Sequence, residues 1–284
     1  MRYKIHILQF NKNKRSDKHK LVFYIIFILL FIIGIALRLL AIKYEDTISS
    51  DSIDYINLSK RIIQENDFSL IYNDEKAKMH PPLIYIVMYL LKYSETRYLF
   101  NAMQTLSFIL GVLIPIILLF SVFIKTHSKE AALSVMAIAE VHPFFIRMSY
   151  EVLRDPFYLF FTSLFFLSFA LMTKRGEKTN LIYVYAFLCG ATGLFAFLSR
   201  IEGLELLALY LLFLIYRFIQ INSDSNVNKR KEFHFLFRGA ACFVIGYAIV
   251  FIVINTLFGI KFSFYSNMLF TRLGYHISQF TDSF

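Results

Sequence analysis

Residues 21–42 read LVFYIIFILLFIIGIALRLLAI, an apolar run with one charged side chain, Arg38, near its end. A helix needs about 20 mainly apolar residues to cross a bilayer core, so Leu21–Ile42 predicts a membrane span. Basic residues precede it, as in a secretory signal. The run is longer than a signal's apolar core, however, and no small-residue cleavage site follows, so it reads as an uncleaved anchor. Similar runs recur at Tyr98–Ile124, Ala131–Ile146, Pro156–Thr173, Leu181–Leu198, Gly203–Ile219 and Phe235–Phe258. The fold expected is all-α, a polytopic membrane helix bundle of about seven transmembrane helices, two of them short. Composition agrees. Of 284 residues 57% are hydrophobic and only 18% charged, and mean hydropathy is +0.57. One soluble core cannot hide that much apolar surface.

The net charge of +10 raises the question of nucleic acid, and the distribution of the charge answers it. With the N-terminus placed inside, segments 1–20, 125–130, 174–178 and 217–238 carry 17 Lys/Arg against 5 Asp/Glu, while the outer segments carry 12 against 15. That is the positive-inside pattern of a multi-pass protein of the cell membrane with a cytoplasmic N-terminus. Orientation and anionic membrane lipids account for the surplus, and no nucleic-acid partner is expected. The organisation expected is a basic cytoplasmic tail (1–20), a transmembrane domain (21–258) including an outer loop at 43–96, and an outer-side tail (259–284). Cys189 and Cys242 both lie in apolar runs, which argues against a disulfide framework or a thiolate metal site.

The loop 43–96 holds nine of the twenty acidic residues, and loops of this length usually carry function or are disordered. Its Ile, Leu and Tyr content disfavours disorder. Ile53, Ile56 and Ile63, with Tyr55 and Ile62, recur at helical spacing among Lys60, Arg61 and Gln64, as in an amphipathic helix lying on the outer membrane surface. A second helix should follow His80-Pro81-Pro82, through Leu83–Leu91. It is too short to span, and so is expected at the interface or partly re-entrant. Asp51 has two compatible readings: an N-cap with Asp54 three residues on, or a carboxylate at the membrane face that accepts a proton or binds a cation.

Ionisable residues crowd the same side. Glu140 and His142 end the third run; Arg147, Glu151, Arg154 and Asp155 precede the fourth; Arg200, Glu202 and Glu205 lie between the fifth and sixth. Each has a structural explanation. Arg147 and Glu151 are spaced for an i,i+4 pair, Asp155-Pro156 suits a helix start, and Glu202 can neutralise Arg200. As a set confined to one side they point instead to a polar site facing a cavity. Arginine grips phosphate and a carboxylate can deprotonate a hydroxyl, which suits a substrate that is part lipid and part anion. The sequence carries no Walker loop, Gly-rich dinucleotide fingerprint or zinc-protease helix motif.

Four short stretches, in this order, resemble the GT-C type membrane glycosyltransferases, above all the branch of protein O-mannosyltransferases and the aminoarabinose transferases of lipid A. They are Asp51 followed by Tyr55-Ile56-Asn57-Leu58; His80-Pro81-Pro82-Leu83-Ile84-Tyr85; Tyr150-Glu151-Val152-Leu153-Arg154-Asp155-Pro156; and Leu198-Ser199-Arg200-Ile201-Glu202-Gly203. The resemblance covers about residues 20–220, and Asn57-Leu58-Ser59 lacks the family's usual alanine. It implies transfer of a sugar from a polyprenyl-phosphate carrier to a lipid, glycan or protein acceptor on the outer face. Asp51 matches the catalytic aspartate, with Asp54 as its neighbouring alternative. Lys78, His80, Arg154 and Arg200 become candidates for the donor phosphate or the acceptor, and Tyr55, Arg147, Glu151, Asp155 and Glu202 complete the expected substrate-binding set. A divalent cation, Mg or Mn, on Asp51 is the expected cofactor if there is one. Family members usually have more spans, so this chain is expected to be truncated, split or dependent on a partner. The competing readings are a non-catalytic membrane subunit and a lipid or solute transporter; a transporter predicts charges near the midplane rather than at one face.

Overall fold

The computed structural model describes residues 2–44, 48–74, 77–93, 95–174, 179–223 and 229–281, with side chains between Lys20 and Arg272 except those of Met79 and Thr179. The basic side chains of residues 1–19, and residues 175–178 and 224–228, on which part of the orientation reading rests, lie outside the described residues.

Long apolar runs give long helices: α1 (Arg2–Tyr44), α5 (Thr96–Thr126), α8 (Asp155–Met172), α9 (Thr179–Ser199), α10 (Leu204–Ser223) and α11 (Lys229–Phe258). Each contains a stretch long and apolar enough to cross a membrane. The first loop folds into α2 (Ser50–Glu65), α3 (Leu70–Asn73) and α4 (Leu83–Leu91). Between α5 and α8 stand α6 (Lys129–Val141) and α7 (Pro143–Met148), and α12 (Phe262–Thr281) follows α11. Exposed Ile25, Ile28, Leu29 and Ile32 on α1, and Val244, Ile252 and Leu257 on α11, leave apolar faces suited to lipid.

Six such spans are described where seven are expected, and the difference falls at Ala131–Ile146. That run is not one helix. α6 ends at Val141 because Pro143 pushes its neighbour out of helical geometry: His142 sits at φ −69°, ψ 125°. Proline is then well tolerated at the start of α7, where His142 Nδ1 accepts a hydrogen bond from the Phe144 backbone N–H at 3.2 Å. Thirteen residues of α6 advance only about 20 Å. Even so, the chain must return along this stretch, because α5 and α8 run parallel. Their C-terminal ends meet through Lys125 Nζ and Thr173 Oγ1 at 3.0 Å, and Gln104, near the start of α5, reaches the Tyr150 carbonyl just before α8 at 3.3 Å. The crossing is therefore made by two helices and a loop.

The break is held by a buried ion pair. Arg38 of α1, fully buried, pairs through Nη1 with Glu140. Its Nε donates to Ser149 Oγ at 3.0 Å, and Nη1 also donates to the Gly34 carbonyl at 2.9 Å. Glycine is required nearby, since a Cβ on Gly34 would run into the Glu140 carboxylate and one on Gly111 into Ser149. Losing either charge would strand the other at a cost of about 3–5 kcal/mol. Glu140 and His142, expected among the outer charges, thus serve the fold: one neutralises Arg38 and the other caps α7. Nor do ion pairs keep to one end of the bundle, as the sequence suggests. Arg217 of α10 and Glu232 of α11 pair at 3.4 Å at the opposite end.

The loop helices differ from expectation in what they face. On α2 the buried side chains are Ser52, Tyr55, Ile56, Leu58, Ser59 and Ile62, whereas Ile53 is 48% exposed. On α4, Leu83, Ile84, Tyr85, Ile86 and Met88 are buried. Both helices share one core with Leu99 and Met103 of α5, Phe157 of α8 and Leu194 of α9. They pack onto the bundle as a cap, with their apolar faces turned to protein. α12 joins the same core through Phe264, Tyr265 and Met268, so the 259–284 tail is part of the folded body where it is described.

Candidate functional site

α2 begins two residues earlier than the Asp51 cap reading requires. The cap is Ser49, whose Oγ accepts a hydrogen bond from the Ser52 backbone N–H at 3.2 Å. Asp51 therefore lies inside the first turn, exposed, with its carboxylate not needed to end the helix. A carboxylate there sits at the positive end of the helix dipole. Asp51 lines a cavity of about 200 Å³ together with Asp54, Tyr55, Arg61, Asp74 and His80. His80 is placed by the Pro81-Pro82 turn into α4, and its ring meets Tyr55 edge-on at 6.0 Å.

A stretch 100 residues away packs against Tyr55, one of the residues that line the cavity. Ser52 Oγ donates to the Val152 carbonyl at 3.0 Å, which ties the loop before α8 to the head of α2. That loop delivers Arg154, whose guanidinium lies over the Tyr55 ring at 5.7 Å. Its Nη1 is buried and has no hydrogen-bond partner among the described residues. A buried guanidinium nitrogen without an acceptor is costly and is chemically matched to an anion. Burial pushes the Tyr55 hydroxyl above its ordinary pKa; Arg154 pulls it back and Asp51 pushes it up again. Tyr55 accordingly stays protonated near neutral pH and sits within electrostatic reach of both Asp51 and Arg154. Burial pushes the Tyr85 hydroxyl behind it up as well.

Next to Arg154 a second network closes the end of the bundle. Arg200 pairs with Asp155 and, through Nε and Nη2, grips both oxygens of Glu202 at 3.2 Å each. Arg272, from α12, adds a contact to Glu202 Oε1 at 3.2 Å, and the Arg200 guanidinium lies 5.9 Å from the Tyr158 ring. With two carboxylates already on it, Arg200 frames the site more than it offers an open anion contact. Asp155 is the first residue of α8, with Arg154 at the N-cap position, and its carboxylate pairs with Arg200.

The expected residues divide into three groups and one outlier, Lys78. Asp51, Asp54, Tyr55 and His80 share the cavity, with Arg154 against Tyr55. Asp155, Arg200 and Glu202 form the adjoining network. Arg147 and Glu151 pair with each other at 2.7 Å, Arg147 being 60% exposed. Lys78 belongs elsewhere, in a cavity of about 300 Å³ with Tyr72, Lys261 and Asn267. Sequence reasoning missed Asp74 and Arg61, which had no motif to mark them, and Arg272, which lies in the tail. Among the described residues no three His, Cys, Asp or Glu groups are placed to hold a metal ion.

The sequence matches the family model described as dolichyl-phosphate-mannose-protein mannosyltransferase over residues 24–266. No curated protein and no solved structure matches the chain.

Proposed function

The chain belongs to the dolichyl-phosphate-mannose-protein mannosyltransferase family, multi-pass membrane glycosyltransferases that use a polyprenyl-phosphate sugar donor, and from that premise we propose that its own reaction takes place at the Asp51 cavity. One observation carries the proposal: a carboxylate-lined hollow and a buried, unaccepted guanidinium nitrogen are fastened together by the Ser52–Val152 hydrogen bond.

An acceptor hydroxyl in the cavity gives its proton to Asp51 as its oxygen attacks the anomeric carbon of the sugar. The bond from that carbon to the phosphate oxygen breaks, and polyprenyl phosphate departs with the electron pair. Its growing negative charge is met by Arg154, already fixed in place and shielded from water. Tyr55, held protonated, can donate to the same oxygen. A single displacement inverts the anomeric centre. Asp54, Asp74 and His80 line the acceptor side, and Arg200 keeps Asp155 and Glu202 from presenting unpaired carboxylates to the phosphate. The acceptor is a lipid, glycan or protein hydroxyl. With the N-terminus cytoplasmic, as the Lys/Arg distribution favours, the cavity opens on the outer face.

Among the described residues no His, Cys, Asp and Glu cluster is placed to hold a cation by itself, so the step is written with Asp51 as a base. The test is sugar transfer from a short-chain polyprenyl-phosphate mannose by purified protein, with and without EDTA. The expected result is transfer with inverted configuration that survives EDTA. Retained configuration would contradict direct displacement, and loss of activity in EDTA restored by Mn or Mg would reassign Asp51 to a cation ligand.

A further inference from the structure

A second cavity lies at the end of the bundle opposite the Asp51 site. It measures about 500 Å³ and is enclosed by α8, α9, α10 and α11, with Lys125 of α5 at its mouth. This volume lies within the range of small-molecule pockets, about 300–1,000 Å³. Its composition is graded along the helices. At the mouth stand Lys125 and Lys174, where α5 and α8 end, and Arg217, in the C-terminal half of α10. Deeper in, the walls are Phe169, Phe213 and Leu236. The lining carries three cations against one carboxylate, Glu232. Lys125 is held at the mouth by Thr173 at 3.0 Å, and Arg217 by Gln220 at 2.7 Å and Glu232 at 3.4 Å. Gly239 of α11 lines the cavity, and a Cβ built there would meet no atom within 4 Å.

We propose that this cavity is a binding site for an anionic phospholipid, its phosphate at Lys125, Lys174 and Arg217 and one acyl chain between Phe169, Phe213 and Leu236. Cations above an apolar slot, at the depth where helices leave the bilayer, match both halves of such a molecule, and basic pockets between membrane helices take acidic headgroups. A zwitterionic lipid has the same chain but brings a cation to a mouth already positive. The polyprenyl-phosphate donor shares the chemistry, but here it would lie at the far end of the bundle from Asp51 and Arg154. The phospholipid site stands independently of the glycosyl-transfer proposal.

The test is thermal unfolding of the full chain in detergent, titrated with phosphatidylglycerol or phosphatidylcholine. Phosphatidylglycerol should raise the midpoint saturably by roughly 3–10 °C, and phosphatidylcholine should do much less. Gly239→Leu fills the slot without a backbone clash and improves helix propensity. It should keep or raise the lipid-free midpoint and abolish the increment. Lys125→Gln with Lys174→Gln should remove most of the increment at an unchanged lipid-free midpoint. Equal shifts with both lipids, or a full increment in Gly239→Leu, would overturn the proposal. A polyprenyl phosphate that stabilised more than phosphatidylglycerol, with the gain lost in the same variants, would overturn it in favour of the carrier lipid.

Discussion

Asp51→Asn should lower sugar transfer by about 100- to 10,000-fold, the range a positioned general base contributes, and leave folding untouched. Asparagine keeps the shape and a hydrogen-bonding oxygen but cannot take the acceptor's proton. Stability should hold because Ser49, and not Asp51, caps α2, and because Asp51 is exposed. The loss should fall on kcat, since the proton moves only as the bond forms, with little change in the KM for the donor. Asp54→Asn separates the two carboxylates: if it proves the more damaging, the base is Asp54. Arg147→Ala is the comparison: it takes the ion-pair partner from the Glu151 carboxylate, which is only 9% exposed, so a lower unfolding midpoint is expected, with transfer per folded molecule falling far less than in Asp51→Asn.

The second large effect concerns the leaving group. Arg154→Gln removes a buried guanidinium nitrogen that has no acceptor among the described residues. Loss of a preorganised donor to a developing oxyanion costs about 100- to 1,000-fold, and here the donor is charged. Both kcat and the affinity for free polyprenyl phosphate should fall, because the departing phosphate remains an anion after the sugar has gone. Lysine in its place should rescue only part, for it lacks the planar fork that grips two phosphate oxygens. Arg200→Gln should behave differently. It frees Asp155 and leaves Glu202 to Arg272, so a loss of stability is expected along with the loss of activity. If Arg154→Gln were silent and Arg200→Gln abolished phosphate binding at unchanged stability, the two arginines would have to exchange roles.

The long spans are plain in the sequence because length and apolarity alone determine them, as at Leu21–Ile42. The broken crossing is signalled by His142-Pro143, but within a run still apolar on both sides the composition outweighs the single proline. α2 shows a different limit. Periodicity says that one face is apolar and is silent on whether lipid or protein covers it; the answer depends on α4, α5 and α9, which no local pattern reveals. Glu140 looked like one more outer charge because its partner Arg38 is 102 residues earlier. Within the site, Asp51, His80 and Arg154 were readable from their motifs. Their juxtaposition was not, since it rests on one hydrogen bond between Ser52 and Val152. Arg272 carries no motif and comes to Glu202 from 70 residues downstream. The Asp51 cap illustrates near-degenerate local chemistry: Ser49 and Asp51 are both good N-caps, and the one chosen decides whether the aspartate is free to react.

The central claim is that Asp51 and Arg154 face one substrate from opposite sides. It is tested most directly by an experimental structure of the full chain with polyprenyl phosphate bound. The account predicts a phosphate oxygen about 3 Å from the Arg154 guanidinium, with the space vacated by the sugar opening onto Asp51. A phosphate seated instead between Lys78 and Lys261, with no anion at Arg154, would contradict it.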